Sequence, residues 1–200
     1  MRVFFHTYVG EIYKLSQYHK KIYTIISDLG YDHVPVDSEY IDNPEKLITK
    51  IEKGGTQAKI TRYKECIKNL QLCDIFVIEV SSNSLSAGYL LHEALNNSRP
   101  VIALYHEGEL PNFLSGGLEN EKLVTIEYNS SNIKVQLERA LELAKKAVDI
   151  RFNFFIPPQL VTYLNWTSSM LRISKSTYLR KLIMDDMSKN RDYIKLKKTF

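Results

Sequence analysis

The sequence predicts a doubly wound α/β domain over residues 1–149 and a smaller basic strand–helix–helix module over residues 150–200. Two observations carry this. Short apolar runs alternate with stretches of helical periodicity through the first three quarters of the chain, the pattern of strands and crossover helices in a parallel sheet. Charge then changes sign near residue 150. Beyond that point there are ten Lys and Arg against three Asp, a balance of +7, while the preceding residues carry 17 basic and 20 acidic side chains, a balance of −3.

The elements follow in order. Residues 2–8 form an apolar run that predicts a first buried strand, and Ile12, Leu15, Ile22, Ile25, Ile26 and Leu29 recur at helical spacing until Gly30, a residue suited to the position just past a helix. Residues 33–36 read as a weaker second strand. Asn43 and Pro44 predict a helix start, and the pair Gly54 and Gly55 predicts a break before a second apolar stripe of Ile60, Tyr63, Ile67 and Leu70. Residues 74–79 make the clearest strand, apolar on both faces as a central parallel strand must be. A helix from about Ser86 to Asn97, strands at 100–105 and 123–128, and a closing helix marked by Ile133, Leu137, Ala140, Leu141 and Ala144 complete a five-stranded sheet of Rossmann or flavodoxin type.

In such sheets the ligand lies beyond the carboxyl ends of the strands. That places His6, Tyr8 and Gly10, then Glu79, Ser82, Ser84 and Gly88, then the residues up to Ser115 around one crevice. The stretch 81–88 is rich in hydroxyls and leads into a helix. It reads either as a phosphate seat on free backbone N–H groups or as ordinary capping chemistry. Glu79 reads as a partner for a sugar hydroxyl or for a neighbouring loop, and His6 and His92 as acid–base groups or pocket walls. Cys66 and Cys73 fit neither a CxxC nor a zinc pattern. No metal or cofactor is called for. The absence of a signal-like or membrane-length apolar run and the scarcity of thiols lead us to expect a cytoplasmic protein with no membrane partner.

The residues of this first domain resemble the nucleoside 2-deoxyribosyltransferase family, particularly its deoxynucleoside 5′-monophosphate N-glycosidase branch. The likeness rests on Val3, Phe4 and Phe5, on Tyr18, Ile22, Leu29 and Gly30, and most strongly on residues 74–105. There it includes Asp74, Glu79, Val80, Ser81, Ser84, Leu85, Gly88, Tyr89, Ala94, Pro100, Val101, Leu104 and Tyr105; Leu114 and Ser115 follow. It implies that Ser84 and Ser115 hold a 5′-phosphate, Ser115 reaching the site from the second subunit of a dimer, and that the ligand is a nucleoside or nucleotide. The family's catalytic Glu directly follows the Gly-Tyr pair, where this chain has Leu90. A supporting Asp is replaced by Cys66, and the first loop lacks the family's Arg beside Gly10 and carries Tyr8. Glycosidic cleavage passes through an oxocarbenium-like sugar that needs a carboxylate, which Leu90 cannot supply. Glu93, one helical turn on, is the candidate substitute. Helical side chains lean toward the N-terminus, so it is expected to point toward the crevice. Its spacing from Tyr89 also resembles the aromatic-x-x-x-Glu of TIR-domain NAD hydrolases. The other reading of Glu93 is a solvent-facing helix residue.

In the tail, residues 151–156 alternate like a short strand, Pro157 and Pro158 open a helix, and Ser174 or Ser176 caps a second one. Strand, helix, turn and helix resemble a ribbon-helix-helix module over about 151–188. That resemblance implies dimerisation through paired strands, with Phe152, Phe154 and Ile156 facing the core. It also implies DNA contact through Arg151 and Asn153 on the ribbon and through Lys175 and Ser176 at the second helix N-terminus. Phe155 is an unusual reader of bases, and a purely dimerising module is the other reading. Three functions therefore stand at this point. They are a nucleotide-binding protein that lacks the family's usual catalysis, an active N-glycosidase or NAD hydrolase using Glu93, and a ligand-sensing DNA-binding regulator.

Overall fold

A computed structural model describes residues 1–7, 12–35, 39–82, 84–115, 120–148 and 154–197. Contacts divide the chain into two compact units, Met1–Ile150 and Arg151–Phe200.

The first unit is the doubly wound α/β domain. Its five strands are β1 (Arg2–His6), β2 (Asp32–His33), β3 (Ile75–Glu79), β4 (Val101–His106) and β5 (Leu123–Tyr128), and every pairing is parallel in the order β2-β1-β3-β4-β5. Parallel neighbours need crossover helices, and these are α1 (Ile12–Asp28), α3 (Pro44–Leu72), α4 (Leu85–Asn96) and α6 (Ile133–Lys146), with the short α2 (Glu39–Asp42) and α5 (Asn112–Ser115) in the connections.

Strand alternation sends successive side chains to opposite faces. Val3, Phe5, Ile75, Val77, Ile102, Leu104, Ile126 and Tyr128 pack with Ile22, Ile25 and Ile26 of α1 and Leu137, Ala140 and Leu141 of α6. Phe4, Phe76, Ile78, Val101 and Ala103 pack on the other side with Cys66 and Leu70 of α3 and Ala87, Leu90, Leu91 and Ala94 of α4. The strand order reverses direction between β1 and β3. Ligands of open parallel sheets bind at the carboxyl ends beside such a reversal.

The elements depart from the sequence reading in three places. β2 covers two residues and lies earlier than 33–36, since Pro35 has no N–H to give the ladder. β1 ends at His6, short of the predicted run over 2–8, whereas the break predicted at the glycine pair is present at Gly55, whose φ of 56° and ψ of −141° separate two helical stretches of α3. Asn43 precedes that helix without a side-chain capping bond, so Pro44 marks the start alone. Elsewhere the signals match. Gly30 follows α1 with a φ of +79°, the left-handed conformation that favours glycine at this position.

The second unit holds α7 (Pro158–Leu171), α8 (Lys175–Lys189) and α9 (Arg191–Lys197). Arg172 in the left-handed conformation closes α7, and Ser174 caps α8 by accepting from the Thr177 backbone N–H at 3.1 Å. The described part of the expected ribbon, residues 154–156, is not in a strand; a ladder needs a second strand, and none of the described residues provides it.

Candidate functional site at the carboxyl edge of the sheet

The carboxyl ends of β1, β3, β4 and β5 gather a buried polar network on the α1/α6 face. Its centre is Glu79, the last residue of β3 and 2% exposed. By alternation it shares the face of Ile75 and Val77, which turns the carboxylate toward α1 and β5. Oε1 accepts from the Ser81 hydroxyl, from the Ser81 backbone N–H at 3.2 Å and from the Tyr128 hydroxyl at 3.3 Å. Oε2 lies 3.8 Å from His19 Nε2. The same Nε2 stands 3.1 Å from the Thr7 hydroxyl. Both partners therefore share one ring nitrogen, so His19 clamps the end of β1 to Glu79 and does not relay a proton between them.

The Ser81 hydroxyl also accepts from the His106 backbone N–H at 2.7 Å, tying the loop after β3 to the end of β4. The aromatic rings of Tyr18, His106 and Tyr128 close the network, with centroids 5.0 to 5.6 Å apart. Burial, then the Glu79 charge and hydrogen bond, push the Tyr128 hydroxyl far above its ordinary range, so it remains a donor. Glu79 thus serves a neighbouring loop, one of the two roles read for it in the sequence.

His6 ends β1 on the opposite face, with Phe4 at 5.8 Å. It is 8% exposed. Burial, followed by the charge of Arg62 on α3, lowers its pKa to about 3, so the ring is neutral at physiological pH. Its ordinary value of 6.5 returns on unfolding. The unfolded chain then binds the extra proton, and the stability tied to a neutral His6 is complete above pH 6.5 and declines as pH falls toward 3. The expected loss is about 1.4 kcal/mol per pH unit. In urea titrations between pH 6.5 and 4.5, His6→Phe should flatten the pH dependence of unfolding by about one proton. An unchanged slope would mean that His6 is charged or solvated in the fold.

The remaining predicted positions are less concentrated. Ser84 caps α4, its hydroxyl accepting from the Ala87 backbone N–H at 3.2 Å. Ser82 is half-buried beside the same loop. At Gly88 an added Cβ would meet nothing within 4 Å, so that position is not held by a close approach. Tyr8, Gly10, Arg151, Asn153 and the side chain of Ser115 lie outside the described residues. Lys175 is the exposed first residue of α8, and the Ser176 hydroxyl engages Ser174 at 2.9 Å. Glu93 does not lean toward the crevice as expected. Its Oε1 accepts from Asn97 Nδ2 at 3.0 Å, one turn further along α4, because that amide also bonds the Glu93 carbonyl and draws the carboxylate with it.

Leu90 and Cys66, at the two positions where the resemblance places carboxylates, are each 4% exposed and belong to one apolar cluster. Burial raises the Cys66 thiol above its ordinary pKa, so it behaves as a small apolar side chain. Sequence reading did not single out His19, Thr7, Tyr128 or Arg62. Among the described residues no group of three or more His, Cys, Asp or Glu is placed to hold a metal ion, and no helix is long and apolar enough to cross a membrane.

Fold and site define a doubly wound parallel α/β protein with a polar edge at the β1/β3 reversal. No family model matches the chain. Over 93 residues it is 30% identical to the putative 2′-deoxynucleoside 5′-phosphate N-hydrolase 1 of Syntrophotalea carbinolica, a match covering 46% of this chain and 63% of the relative. The chain thus spans somewhat less than two thirds of that relative's length. A CMP N-glycosidase from Clostridium botulinum is a looser structural neighbour, with 16% identity, a TM-score of 0.46, and coverage of 72% of this chain and 98% of its own. The resemblance read from the motifs of the first domain is borne out by this relative, which does not bear on the ribbon-helix-helix resemblance of the tail.

Proposed function

We propose that the first unit binds a nucleoside or nucleotide at the carboxyl edge of its sheet without the glycosidic cleavage that its likeness to N-hydrolases would imply. The observation that carries this reading is the joint burial of Leu90 and Cys66 in one apolar cluster. Two separate carboxylates are replaced by side chains that pack against each other's neighbours, which leaves no anion there to face an oxocarbenium-like sugar. The alternative, an active N-glycosidase or NAD hydrolase using Glu93, is weakened by the Asn97 contact that holds that carboxylate along α4. Titration calorimetry with a panel of deoxynucleoside and ribonucleoside 5′-monophosphates tests the binding reading. Saturable heat with one of them supports it, and no heat with any member overturns it.

The second unit is proposed to dimerise with a second copy of itself. Two of its residues, Leu164 and Thr167, are buried on α7 and none on α8, while Trp166, Met170, Leu171, Ile183 and Met184 are each more than half exposed. Three short helices with this much uncovered apolar surface do not bury a core of their own. A dimer joined here carries two copies of a segment with a charge balance of +7, and this supports nucleic acid as a further partner. Sedimentation equilibrium of the full chain should give a dimer, and Ile183→Asp should shift it to monomer. A wild-type monomer at tens of micromolar would contradict the proposal. A gel shift at low salt then tests DNA separately.

A further inference from the structure

Four half-buried or buried histidines lie in the described part of the first unit; two of them have bonded ring nitrogens, and a third, His106, packs its ring against Tyr18 and Tyr128. His19 Nε2 meets Thr7 and Glu79. His33 Nε2 meets the Ser27 hydroxyl and the Tyr23 carbonyl, and its ring stacks on Tyr23 at 3.5 Å. His6 differs. Its Nδ1 is fully buried and has no hydrogen-bond partner among the described residues. A buried polar atom left unpaired is costly and is uncommon in a folded protein. This one stands at the end of β1, beside the reversal in strand order where a ligand is expected.

Resting on the nucleotide reading above, we propose that His6 Nδ1 is the contact for the nucleobase, and that the phosphate is held elsewhere. A neutral imidazole carries one N–H and one bare nitrogen. If Nδ1 is bare it needs a donor; if it carries the proton it needs an acceptor. The amide edge of a nucleobase sets an N–H beside a C=O and so serves either tautomer. A phosphate dianion accepts only and serves one of the two. The surroundings are mixed: Phe4 flanks the ring, Phe76 lies 5.2 Å from Phe4, and the charge of Arg62 acts on the ring from α3, so it is the hydrogen-bonding pattern of the ligand that separates base from phosphate here. A single bond made in so dry a place discriminates strongly between a ligand that satisfies it and one that does not.

The experiment compares binding of the four deoxynucleoside 5′-monophosphates with that of deoxyribose 5-phosphate, which lacks the base, by calorimetry on the full chain. His6→Phe keeps the ring volume and removes both nitrogens. It is expected to weaken the best-bound monophosphate by about tenfold, the value of one hydrogen bond, and to leave deoxyribose 5-phosphate unchanged. His6→Asn, whose amide group reaches the Nδ1 position, should recover part of the loss. As a readout that needs no variant, the 15N resonance of His6 Nδ1 in the wild type should move on adding the monophosphate and stay in place with deoxyribose 5-phosphate. Equal losses for both ligands in His6→Phe, or a resonance that moves with deoxyribose 5-phosphate, would overturn the assignment in favour of a phosphate contact. Wild-type affinity retained in His6→Phe would overturn it outright. Wild-type protein that binds none of the monophosphates would instead bring down the nucleotide reading on which it rests.

Discussion

Glu79→Ala is expected to cost about 3–5 kcal/mol of stability, the range for removing one side of a buried charged network. The carboxylate is almost wholly buried and accepts from Ser81 and Tyr128 while facing His19. Without it, the Tyr128 hydroxyl and the Ser81 donors lose the acceptor they share, beside the packed rings of Tyr18 and His106. Glu79→Gln keeps one carbonyl oxygen as acceptor and should cost only about 1–2 kcal/mol. Urea midpoints at pH 7 separate the two. Alanine and glutamine variants of equal stability would show that the network contributes through packing alone. The loop after β3 hangs from this carboxylate through Ser81, and Ser84 at its end caps α4, so a loss at Glu79 should also loosen the segment that the resemblance assigns to phosphate.

Leu90→Glu is the second large effect, and it asks whether a family carboxylate can return. Leu90 is 4% exposed within an apolar cluster that includes Phe4, Phe76, Ala87 and Cys66. An ionised carboxylate in that apolar cluster is taken out of water, so the substitution should destabilise the fold by about 3 kcal/mol at pH 7. Burial would raise the folded-state pKa of the new carboxyl above its unfolded value. The penalty is therefore smallest in acid, where both states are protonated, and grows by about 1.4 kcal/mol per unit as pH rises above the unfolded pKa toward the folded one. Thermal unfolding at pH 4 and pH 7 reads both effects. A variant as stable as wild type at pH 7 would mean that position 90 reaches solvent, and that the interior has room for the lost chemistry.

Much of this arrangement is legible in residue order. Strand parity alone assigns Glu79 to the face of Val77, and His6 to that of Phe4, and the apolar stripe of α1 extends back from Ile22 by three residues to His19. That spacing is the signal that could have found the buried histidine. Tyr128 likewise ends a predicted strand with the parity of Ile126. What parity does not give is the direction of a flexible side chain. Glu93 was expected to lean toward the helix start, and a local amide four residues on holds it the other way. Nor does a glycine pair reveal whether it ends a helix or bends one: at Gly55 a single residue absorbs the change and the helix resumes. In the tail, the proline and serine signals place both helices because they act within a turn of chain. A ribbon needs a second strand, which sequence pattern cannot supply by itself.

The central claim is nucleotide binding without turnover, and one measurement reaches it most directly. The pure protein is incubated with nucleosides, nucleoside monophosphates and NAD, and the protein-bound and free fractions are separated by chromatography. The account predicts an intact nucleotide retained with the protein and no free base above the blank. Free base released at an enzyme-like rate would contradict it, and if that release disappears in Glu93→Gln, the working carboxylate is the one on α4.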